Sequence, residues 1–490
     1  MTVRILFCLC LLLSYSARAG ATQQPQPSPP APARPLIEEF IRLINSGDRK
    51  AARSFVERNY TPAALAKGAA EQHVNAISEL HDKTRGVEIK SLRETKPDNW
   101  SASARTRVTG QWVWLAFGLD TRPSPRVDSF DWGFTSAPRA GQPAPRKLSE
   151  LEIVRELGGL MSKLAAADLF SGSVLLAKDG KVLFKQAYGE ANKDFAVPNR
   201  ADTKFNLASL NKMFTAVAAA QLVERGKLSF DDPISKYLPD FPSKEAAEKI
   251  KVKHLLTHTS GLGDIFTERW YSTARHRFRT VDDYLAFLDD RALAFEPGTG
   301  RSYSNTGFIV LGKIIEKIAG QSYFDYVREN IYKRAGMTNS DSYDLDLVNS
   351  NLAVGYDKEY TDAGIVFRNN LYLHVIRGGP AGGGFSTVED LLRFTVALRS
   401  GRLVGEEYVR MITTPKPELN SPNYGYGFGV LPEDGIVAHS GGAEGISAHL
   451  EMLTADGYTF ALLSNYGGDT IAPITFKLRE LLLPRRGTRK

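Results

Sequence analysis

The architecture of the larger part of this chain depends on one segment, Ser209-Leu-Asn-Lys-Met-Phe-Thr-Ala-Val-Ala-Ala-Ala-Gln-Leu-Val-Glu-Arg225, which Gly226 follows. It predicts a helix that begins near Ser209 and runs to Arg225, because the glycine that follows readily adopts the left-handed conformation that ends helices. Ser209 and Lys212 are three residues apart, so a helix places both on one side. The lysine amine can therefore reach the serine hydroxyl.

This Ser-x-x-Lys pair predicts a nucleophile and its base. A hydroxyl is a poor nucleophile until a base takes its proton. A lysine acts as that base when burial or nearby positive charge lowers its pKa. The helix N-terminus also directs N–H groups toward developing negative charge. The pattern is short enough to arise by chance, and alone Ser209 is equally typical of a helix cap and Lys212 of a solvated helix residue.

A second motif, Tyr303-Ser-Asn305, follows about 90 residues later in a loop rich in glycine and proline. Loops often present catalytic groups. A tyrosine hydroxyl can pass a proton to a leaving group, and an asparagine amide can position a substrate carbonyl. Taken alone, Tyr-x-Asn is typical of an ordinary polar turn without a catalytic role.

A third motif, His439-Ser-Gly-Gly442, opens a predicted pair of strands near the end of the chain. Glycines in a strand let a substrate backbone approach its edge. The N–H group of Gly442, together with that of Ser209, would form an oxyanion hole. A single histidine at such a position is ordinarily a surface residue whose hydrogen bonds are satisfied.

Together the three motifs have the order and spacing of the class C β-lactamase-like serine hydrolases, and the chain resembles that family. Its members include β-lactamases, D-alanyl-D-alanine carboxypeptidases, D-aminopeptidases and some esterases. Three more stretches look like family sequence: Leu255-Leu-Thr-His-Thr-Ser-Gly-Leu262, Gly307-Phe-Ile-Val-Leu-Gly312 and Ala381-Gly-Gly-Gly-Phe-Ser-Thr-Val-Glu-Asp390. The resemblance covers about 150–485. It implies an α+β fold with an antiparallel sheet of the β-lactamase and transpeptidase type, flanked by helices and carrying a helical subdomain.

By that resemblance, Ser209 is the nucleophile, Lys212 its base partner and Tyr303 the acid/base group. The family also implies an oxyanion hole and a set of substrate-binding residues. The oxyanion hole consists of Ser209 and Gly442, and the substrate-binding residues are Asn305, His439, Ser440 and Gly441. No metal or organic cofactor is implied. The expected partner is a small-molecule or cell-wall peptide substrate, cleaved at an ester or amide through an acyl-enzyme.

One departure from the family bears on the substrate. True β-lactamases of this family resemble Lys-Thr-Gly at the third motif, where the lysine supplies fixed positive charge for a substrate carboxylate. His439-Ser-Gly441 stands there in this chain, and a histidine with a pKa near 6.5 is largely neutral at pH 7. We therefore expect an esterase or D-amino peptidase rather than a true β-lactamase. The alternative is a non-catalytic sensor of cell-wall fragments.

Other catalytic chemistries fit the sequence less well. His254-Leu-Leu-Thr-His258 has two histidines four apart but lacks the adjacent glutamate of a zinc protease, so both are expected to be structural. The glycines of 378–384 lack the Lys-Ser/Thr ending of a phosphate loop. No Gly-x-Ser-x-Gly elbow of an α/β-hydrolase occurs.

The first 19 residues predict a secretory signal peptide. Arg4 precedes a nine-residue apolar run, and Ala17-Arg-Ala19 offers small residues for cleavage after Ala19. A helix needs about 20 apolar residues to span a bilayer, so no stable membrane insertion is expected after cleavage. The only cysteines, Cys8 and Cys10, lie within this segment. The sequence thus predicts a periplasmic or secreted protein without thiols.

Composition and apolar periodicity predict the domain organisation. With 42% hydrophobic residues the chain can form a large core. Residues 36–122 show helical and then strand-like patterns, and look a little like the nuclear transport factor 2-like fold. The predicted segments are a signal peptide over 1–19, a disordered spacer over 20–35, a small α+β domain over 36–122, a Pro-rich linker over 123–146 and a hydrolase domain over 147–490.

Charge excludes one further class of function. The net charge is +7, and several basic residues lie in the tail over 484–490, which is more typical of a solvated terminus than of a binding patch. No basic stripe interleaved with aromatic residues is present, so nucleic acid is not an expected partner. The oligomeric state cannot be predicted from these features.

Overall fold

The computed structural model describes residues 33–120, 124–137, 146–289 and 292–483. The predicted signal peptide, nearly all of the predicted spacer over 20–35 and the basic tail lie outside these residues. The described chain forms two compact units. The larger unit comprises Ser171–Asp357 and Asn369–Ile471, and the smaller unit comprises the described residues up to Phe170, then Lys358–Arg368, then those from Ala472 onward.

The smaller unit combines helices with a four-stranded antiparallel sheet of order β1-β2-β3-β4. Its first elements are α1 Arg34–Ser46, α2 Arg49–Asn59, α3 Pro62–Lys67, α4 Ala70–Thr84, β1 Val87–Lys96, β2 Asn99–Thr106, β3 Trp112–Asp120, β4 Arg126–Thr135 and α5 Glu150–Ala166. In its core the Phe40 ring meets those of Phe55 and Phe117 edge-on, at 5.5 Å and 5.3 Å between centroids. The predicted succession of helices and strands is confirmed here.

Two predictions for this part of the chain are wrong in detail. The linker predicted over 123–146 contains β4, Arg126–Thr135, paired with β3. The prolines lie on either side of this strand and none within it, so they do not remove its ladder hydrogen bonds. The spacer predicted over 20–35 overlaps the start of α1, because Pro35 is in the first turn of a helix, where no backbone N–H donor is needed.

The larger unit contains a six-stranded antiparallel sheet of order β13-β14-β15-β16-β5-β6. Short strands form two further pairs, β7 with β8 and β9 with β12. Strands β10 and β11 also pair with each other, and their residues from Lys358 to Arg368 belong to the smaller unit. The strands are β5 Gly172–Lys178, β6 Lys181–Tyr188, β7 Glu190–Asn192, β8 Val197–Pro198, β9 Phe205–Asn206, β10 Tyr356–Thr361, β11 Gly364–Asn369, β12 Phe385–Ser386, β13 Gly429–Leu431, β14 Ile436–Ala443, β15 Ile446–Leu453 and β16 Tyr458–Ser464. The antiparallel sheet that the family resemblance implies is thus confirmed.

Most of the remaining helices lie between β9 and β13 in the sequence. They are α6 Asn211–Glu224, α7 Lys244–Lys249, α8 Val252–Leu256, α9 Glu268–Tyr271, α10 Val281–Leu285, α11 Asn305–Ala319, α12 Tyr323–Val327, α13 Lys333–Ala335, α14 Val388–Arg399 and α15 Glu406–Ile412. A last helix, α16 Ala472–Leu482, belongs with α5 to the smaller unit, although both were predicted within the 147–490 segment. Within the described ranges, no helix is both long and apolar enough to cross a membrane.

Helix α6 is the centre of the larger unit. Every residue from Asn211 to Leu222 is buried, on all faces of the helix, as expected for a helix surrounded by protein. A 3₁₀ turn over Ala208–Leu210 leads into it. Ala208 has a φ of +42°, an unfavourable conformation for alanine. Strained backbone of this kind is typical of functional sites, and here it holds Ser209.

Strand β14 has one edge that is only partly covered. It pairs with β15 along its whole length, but with β13 only over Ile436–Ala438. From His439 to Ala443, no strand of the described chain pairs with this second edge. We call this stretch the open edge of β14.

Candidate active site

The Ser-Lys pair predicted from the sequence is a direct hydrogen bond in the structure. Lys212 Nζ donates to Ser209 Oγ at 3.0 Å. The 3₁₀ turn and α6 place the two residues one turn apart, with the serine half-buried and the lysine fully buried. The hydroxyl is therefore partly accessible, whereas the lysine amine is removed from water.

Two further acceptors surround the Lys212 amine. Its Nζ donates to Asn305 Oδ1 at 2.7 Å and to the Ala381 carbonyl at 2.6 Å. Burial lowers the pKa of Lys212 to about 7, and the negative charge of Asp264 partly opposes this shift. At neutral pH a substantial fraction of the amine is therefore unprotonated, which is the form that can take a proton from serine.

Asp264 holds the second motif in place from a preceding loop. Its Oδ2 accepts from the Asn305 amide Nδ2 at 2.8 Å and from the Asn305 backbone N–H at 3.2 Å. The Asn305 side chain thus bridges Asp264 and Lys212. Sequence reasoning missed Asp264, for which the only signal was its place just after the family-like stretch ending at Leu262. The substrate-binding role of Asn305 stays a prediction.

Tyr303 lies against the same amine. The centre of its ring is 4.8 Å from Lys212 Nζ, and the ring stacks on that of His258 with 4.2 Å between centroids. The Ser304 N–H donates to His258 Nδ1 at 3.1 Å, so the histidine proton is on Nε2. Burial, reinforced by the charge of Lys212, holds the pKa of His258 well below its usual range. His258 is therefore a neutral support for the tyrosine ring.

The two histidines of the 254–258 stretch have separate positions. His254 Nδ1 accepts from the Lys251 N–H at 3.1 Å at the start of α8, which is a structural role. His258 contacts Tyr303 and lies in the site. Sequence reasoning treated both as structural and missed this second position, because stacking between residues 45 apart follows from tertiary structure alone.

Replacing His258 by asparagine is expected to lower kcat/KM about tenfold, since an aromatic pair contributes about 0.5–1.5 kcal/mol. Asparagine is chosen because His258 has a φ of +62°, which asparagine tolerates. Steady-state hydrolysis of an activated ester measures the effect, with the exposed His276→Asn as the matched control. Equal kinetics for the two variants would contradict a role for His258 in holding Tyr303.

His439 is buried and uncharged. Its Nε2 accepts from the Tyr424 hydroxyl at 2.9 Å, and its Nδ1–H donates to the Ser440 carbonyl at 2.7 Å. Burial, followed by the charge of Lys212, lowers the pKa of His439 to about 3. The third motif therefore supplies no positive charge at neutral pH. The guanidinium carbon of Arg301 lies 5.3 Å from the centre of the Tyr424 ring.

Gly441 brings the open edge of β14 against the backbone of Ser209. A β-carbon at this position would lie 2.9 Å from the Ser209 backbone nitrogen and would clash with the Leu207 carbonyl. Only glycine therefore permits this approach. Gly442 follows on the same edge, opposite Ser447. The oxyanion hole predicted from the N–H groups of Ser209 and Gly442 stays a prediction, now with the two elements adjacent.

Two predicted site residues, His439 and Ser440, have side chains bonded to groups other than Ser209. The Ser440 hydroxyl lies 2.7 Å from His449 Nδ1 on β15, and His439 is bonded to Tyr424. The structure thus brings Ser209, Lys212, Tyr303 and Asn305 into direct contact, and places His439 and Gly441 beside them. Sequence reasoning missed Asp264, His258, Tyr424 and His449.

Comparison with known proteins agrees with this geometry. The family model described as Beta-lactamase matches residues 158–481. Penicillin-binding protein 4* of Bacillus subtilis (strain 168) is 33% identical over 336 residues, which cover 64% of this chain and 72% of that protein. The crystal structure of a penicillin binding protein from Bacillus halodurans is 29% identical, with a TM-score of 0.57 over 67% of this chain and 98% of that one. A D-stereospecific amidohydrolase from Streptomyces sp. is 25% identical, with a TM-score of 0.54 over 67% and 98%.

An antiparallel sheet whose open edge meets a Ser-x-x-Lys pair at the start of a buried helix defines the penicillin-recognising class of serine hydrolases. The match over 158–481 spans about two thirds of the sequence. The chain belongs to the β-lactamase family.

Proposed function

We propose that this protein is an exported hydrolase that cleaves an ester or amide through an acyl-enzyme on Ser209, with uncharged acyl substrates preferred over carboxylate-bearing ones. The observation that carries the proposal is the hydrogen bond of 3.0 Å between Lys212 Nζ and Ser209 Oγ. This bond lies in a site where burial lowers the lysine pKa to about 7. A lysine in such a site can be a base at neutral pH.

Acylation begins with the free amine of Lys212. It takes the Ser209 proton as Oγ attacks the substrate carbonyl, and the carbonyl oxygen becomes an oxyanion stabilised by the N–H groups of Ser209 and Gly442. The bond to the leaving group then breaks. The proton reaches the departing oxygen or nitrogen through Tyr303, which lies beside the amine.

Deacylation uses the same groups in reverse. Tyr303 and Lys212 take a proton from a water molecule, which attacks the acyl carbonyl and forms a second oxyanion. When this collapses, Ser209 Oγ leaves and regains its proton from Lys212. The acid product departs, and the hydrogen bond between Lys212 and Ser209 is restored.

The neutral third motif supports the preference for uncharged acyl substrates. Burial and then the charge of Lys212 hold the pKa of His439 low, so the neutral ring cannot form an ion pair with a carboxylate. The Streptomyces relative is described as a D-stereospecific amidohydrolase, which supports D-amino-acid amides as candidate substrates beside simple esters. The apolar segment within 1–19 supports export to the periplasm or outside the cell. A mature protein that begins at Gly20 would bear out the export proposal.

The test is incubation of the mature protein with p-nitrophenyl acetate, followed by intact-mass and peptide analysis. We expect an acetyl group on Ser209 together with continuous release of nitrophenol. Acetylation without turnover would favour the alternative, a sensor of cell-wall fragments. Absence of both nitrophenol release and an acetyl group on Ser209 would contradict both.

The pH dependence of kcat/KM is a second expected result. Because burial lowers the pKa of Lys212 to about 7, the free amine forms as the pH rises through that value. We expect kcat/KM for the ester to increase about tenfold per pH unit below 7 and to level off above it. A profile that is flat from pH 5 to pH 9, in a range where the protein stays folded, would contradict the role of Lys212 as base.

A further inference from the structure

Beside the open edge of β14, three polar side chains form a line that the proposed mechanism does not use. Ser440 lies opposite His449 in the register of β14 and β15. The Ser440 Oγ is 2.7 Å from His449 Nδ1, and His449 Nε2 is 2.9 Å from Glu451 Oε2. Ser440 is half-buried, His449 is 5% exposed and Glu451 is completely buried. The line therefore runs from the motif strand into the interior of the sheet.

The bonding of the three groups suits one arrangement of their protons. An ionised Glu451 has only acceptor oxygens, so beside a neutral imidazole its hydrogen bond places the ring proton on His449 Nε2. The tautomer of a histidine is set in this way by the partner of its other nitrogen. His449 Nδ1 is then an acceptor, and the Ser440 hydroxyl donates its proton to it. The only proton of this hydroxyl is thus directed toward β15.

This arrangement matters for substrates that carry a carboxylate. Such a group needs hydrogen-bond donors or a cation, and a hydroxyl whose proton is already donated offers it only lone pairs. His439 on the same strand is neutral and bonded at both ring nitrogens. Neither polar side chain of the motif therefore has a proton available for a carboxylate at the open edge.

We propose that the Glu451–His449 pair withholds the Ser440 proton from the open edge of β14 and so selects against substrates with a carboxylate on the leaving-group side of the reacting carbonyl. The inference rests on the proposed function and deepens it. His449 acts through Ser440 and is a positioning residue. Its effect is on substrate choice, since Lys212 and Ser209 carry out the chemistry in either case.

Benzylpenicillin and its methyl ester are the matched probes, because they present the same β-lactam carbonyl with and without the carboxylate. The second-order rate of Ser209 acylation by each compound is measured by intact-protein mass spectrometry. We expect His449→Phe to raise the acid-to-ester ratio of these rates about tenfold, the effect of one hydrogen bond to a charged group. Adding Ser440→Ala to His449→Phe is expected to abolish the gain, because the released hydroxyl is then absent.

Two further variants keep the test interpretable. Removing His449 leaves the buried Glu451 without this partner, which is destabilising. The pair replacement His449→Phe with Glu451→Met removes both polar groups in favour of apolar ones, and is expected to give the same gain in ratio. Thr459→Val, which removes a buried hydroxyl from the neighbouring β16, is the control and is expected to leave the ratio unchanged.

The outcomes separate this inference from the proposed function. A ratio that stays at its wild-type value in both His449 variants, while Ser209 is acylated, would overturn the inference alone. A gain that survives Ser440→Ala would also overturn it, since another group would then be responsible. A wild-type protein that neither compound nor p-nitrophenyl acetate acylates at Ser209 would overturn the proposed function and this inference with it.

Discussion

Replacing Lys212 by methionine is expected to lower kcat/KM for an activated ester about a thousandfold, within the range of 10²–10⁴ that a positioned general base contributes. Methionine has a similar length and suits the fully buried position, but it cannot accept the proton of Ser209. The rise of kcat/KM through a pH of about 7, which comes from this amine, is expected to disappear as well. Steady-state kinetics from pH 5 to pH 9 measure both effects.

The control for this variant is Lys236→Met. Lys236 lies on the surface of the larger unit and pairs with Asp232 at 3.0 Å, so its loss is expected to leave the kinetics unchanged. Thermal unfolding checks that Lys212→Met is folded, because methionine deprives the Asn305 amide oxygen and the Ala381 carbonyl of a donor. A folded Lys212→Met protein with more than a tenth of wild-type activity would rule out Lys212 as the base.

Gly441→Ala is expected to lower kcat/KM about a hundredfold or more, because displacing a catalytic element by about 1 Å can cost that much. The added β-carbon would lie 2.9 Å from the Ser209 nitrogen and would also meet the Leu207 carbonyl. Both obstacles are main-chain atoms, which cannot rotate aside as a flexible side chain does. The open edge of β14 must then move away from the nucleophile, and the proposed oxyanion hole opens.

Gly159→Ala is the matched substitution. Gly159 lies within α5, and nothing stands within 4 Å of a β-carbon added there. Alanine in a helix interior is favoured over glycine by about 1 kcal/mol, so this variant is expected to be slightly more stable and fully active. If Gly441→Ala were equally active, the close approach of β14 to Ser209 would have no bearing on catalysis.

Local patterns in the sequence predicted the elements that carry the first motif. Three-residue spacing on a helix was enough to join Ser209 with Lys212, and Asp-Gly at 179–180 is typical of a tight turn such as the one between β5 and β6. The left-handed Asp179 and Gly180, with φ of +48° and +78°, have the conformation that a tight hairpin requires. Such features depend on residues that are close together in the sequence, so local patterns are enough to predict them.

The supporting contacts of the site could not be predicted in this way. Asp264 bonds to Asn305, and Tyr424 to His439, because packing of separate elements brings them together. No periodicity marks a single aspartate in a loop or a single tyrosine before a strand. Strand β4 was missed for a different reason, since the prolines around it indicated a linker while the strand itself contains none.

The smaller unit takes its chain from three places in the sequence, and this governs when it can be completed during synthesis. Ala472, at the start of α16, is part of its core, and the Gln111 side chain bonds to the Pro473 carbonyl. These residues emerge from the ribosome only after the whole larger unit has been made. The first part of the chain must therefore wait, with part of its apolar surface uncovered, for the last helix. A truncation that removes α16 is therefore expected to destabilise the smaller unit, although most of that unit is formed by the first described residues of the sequence.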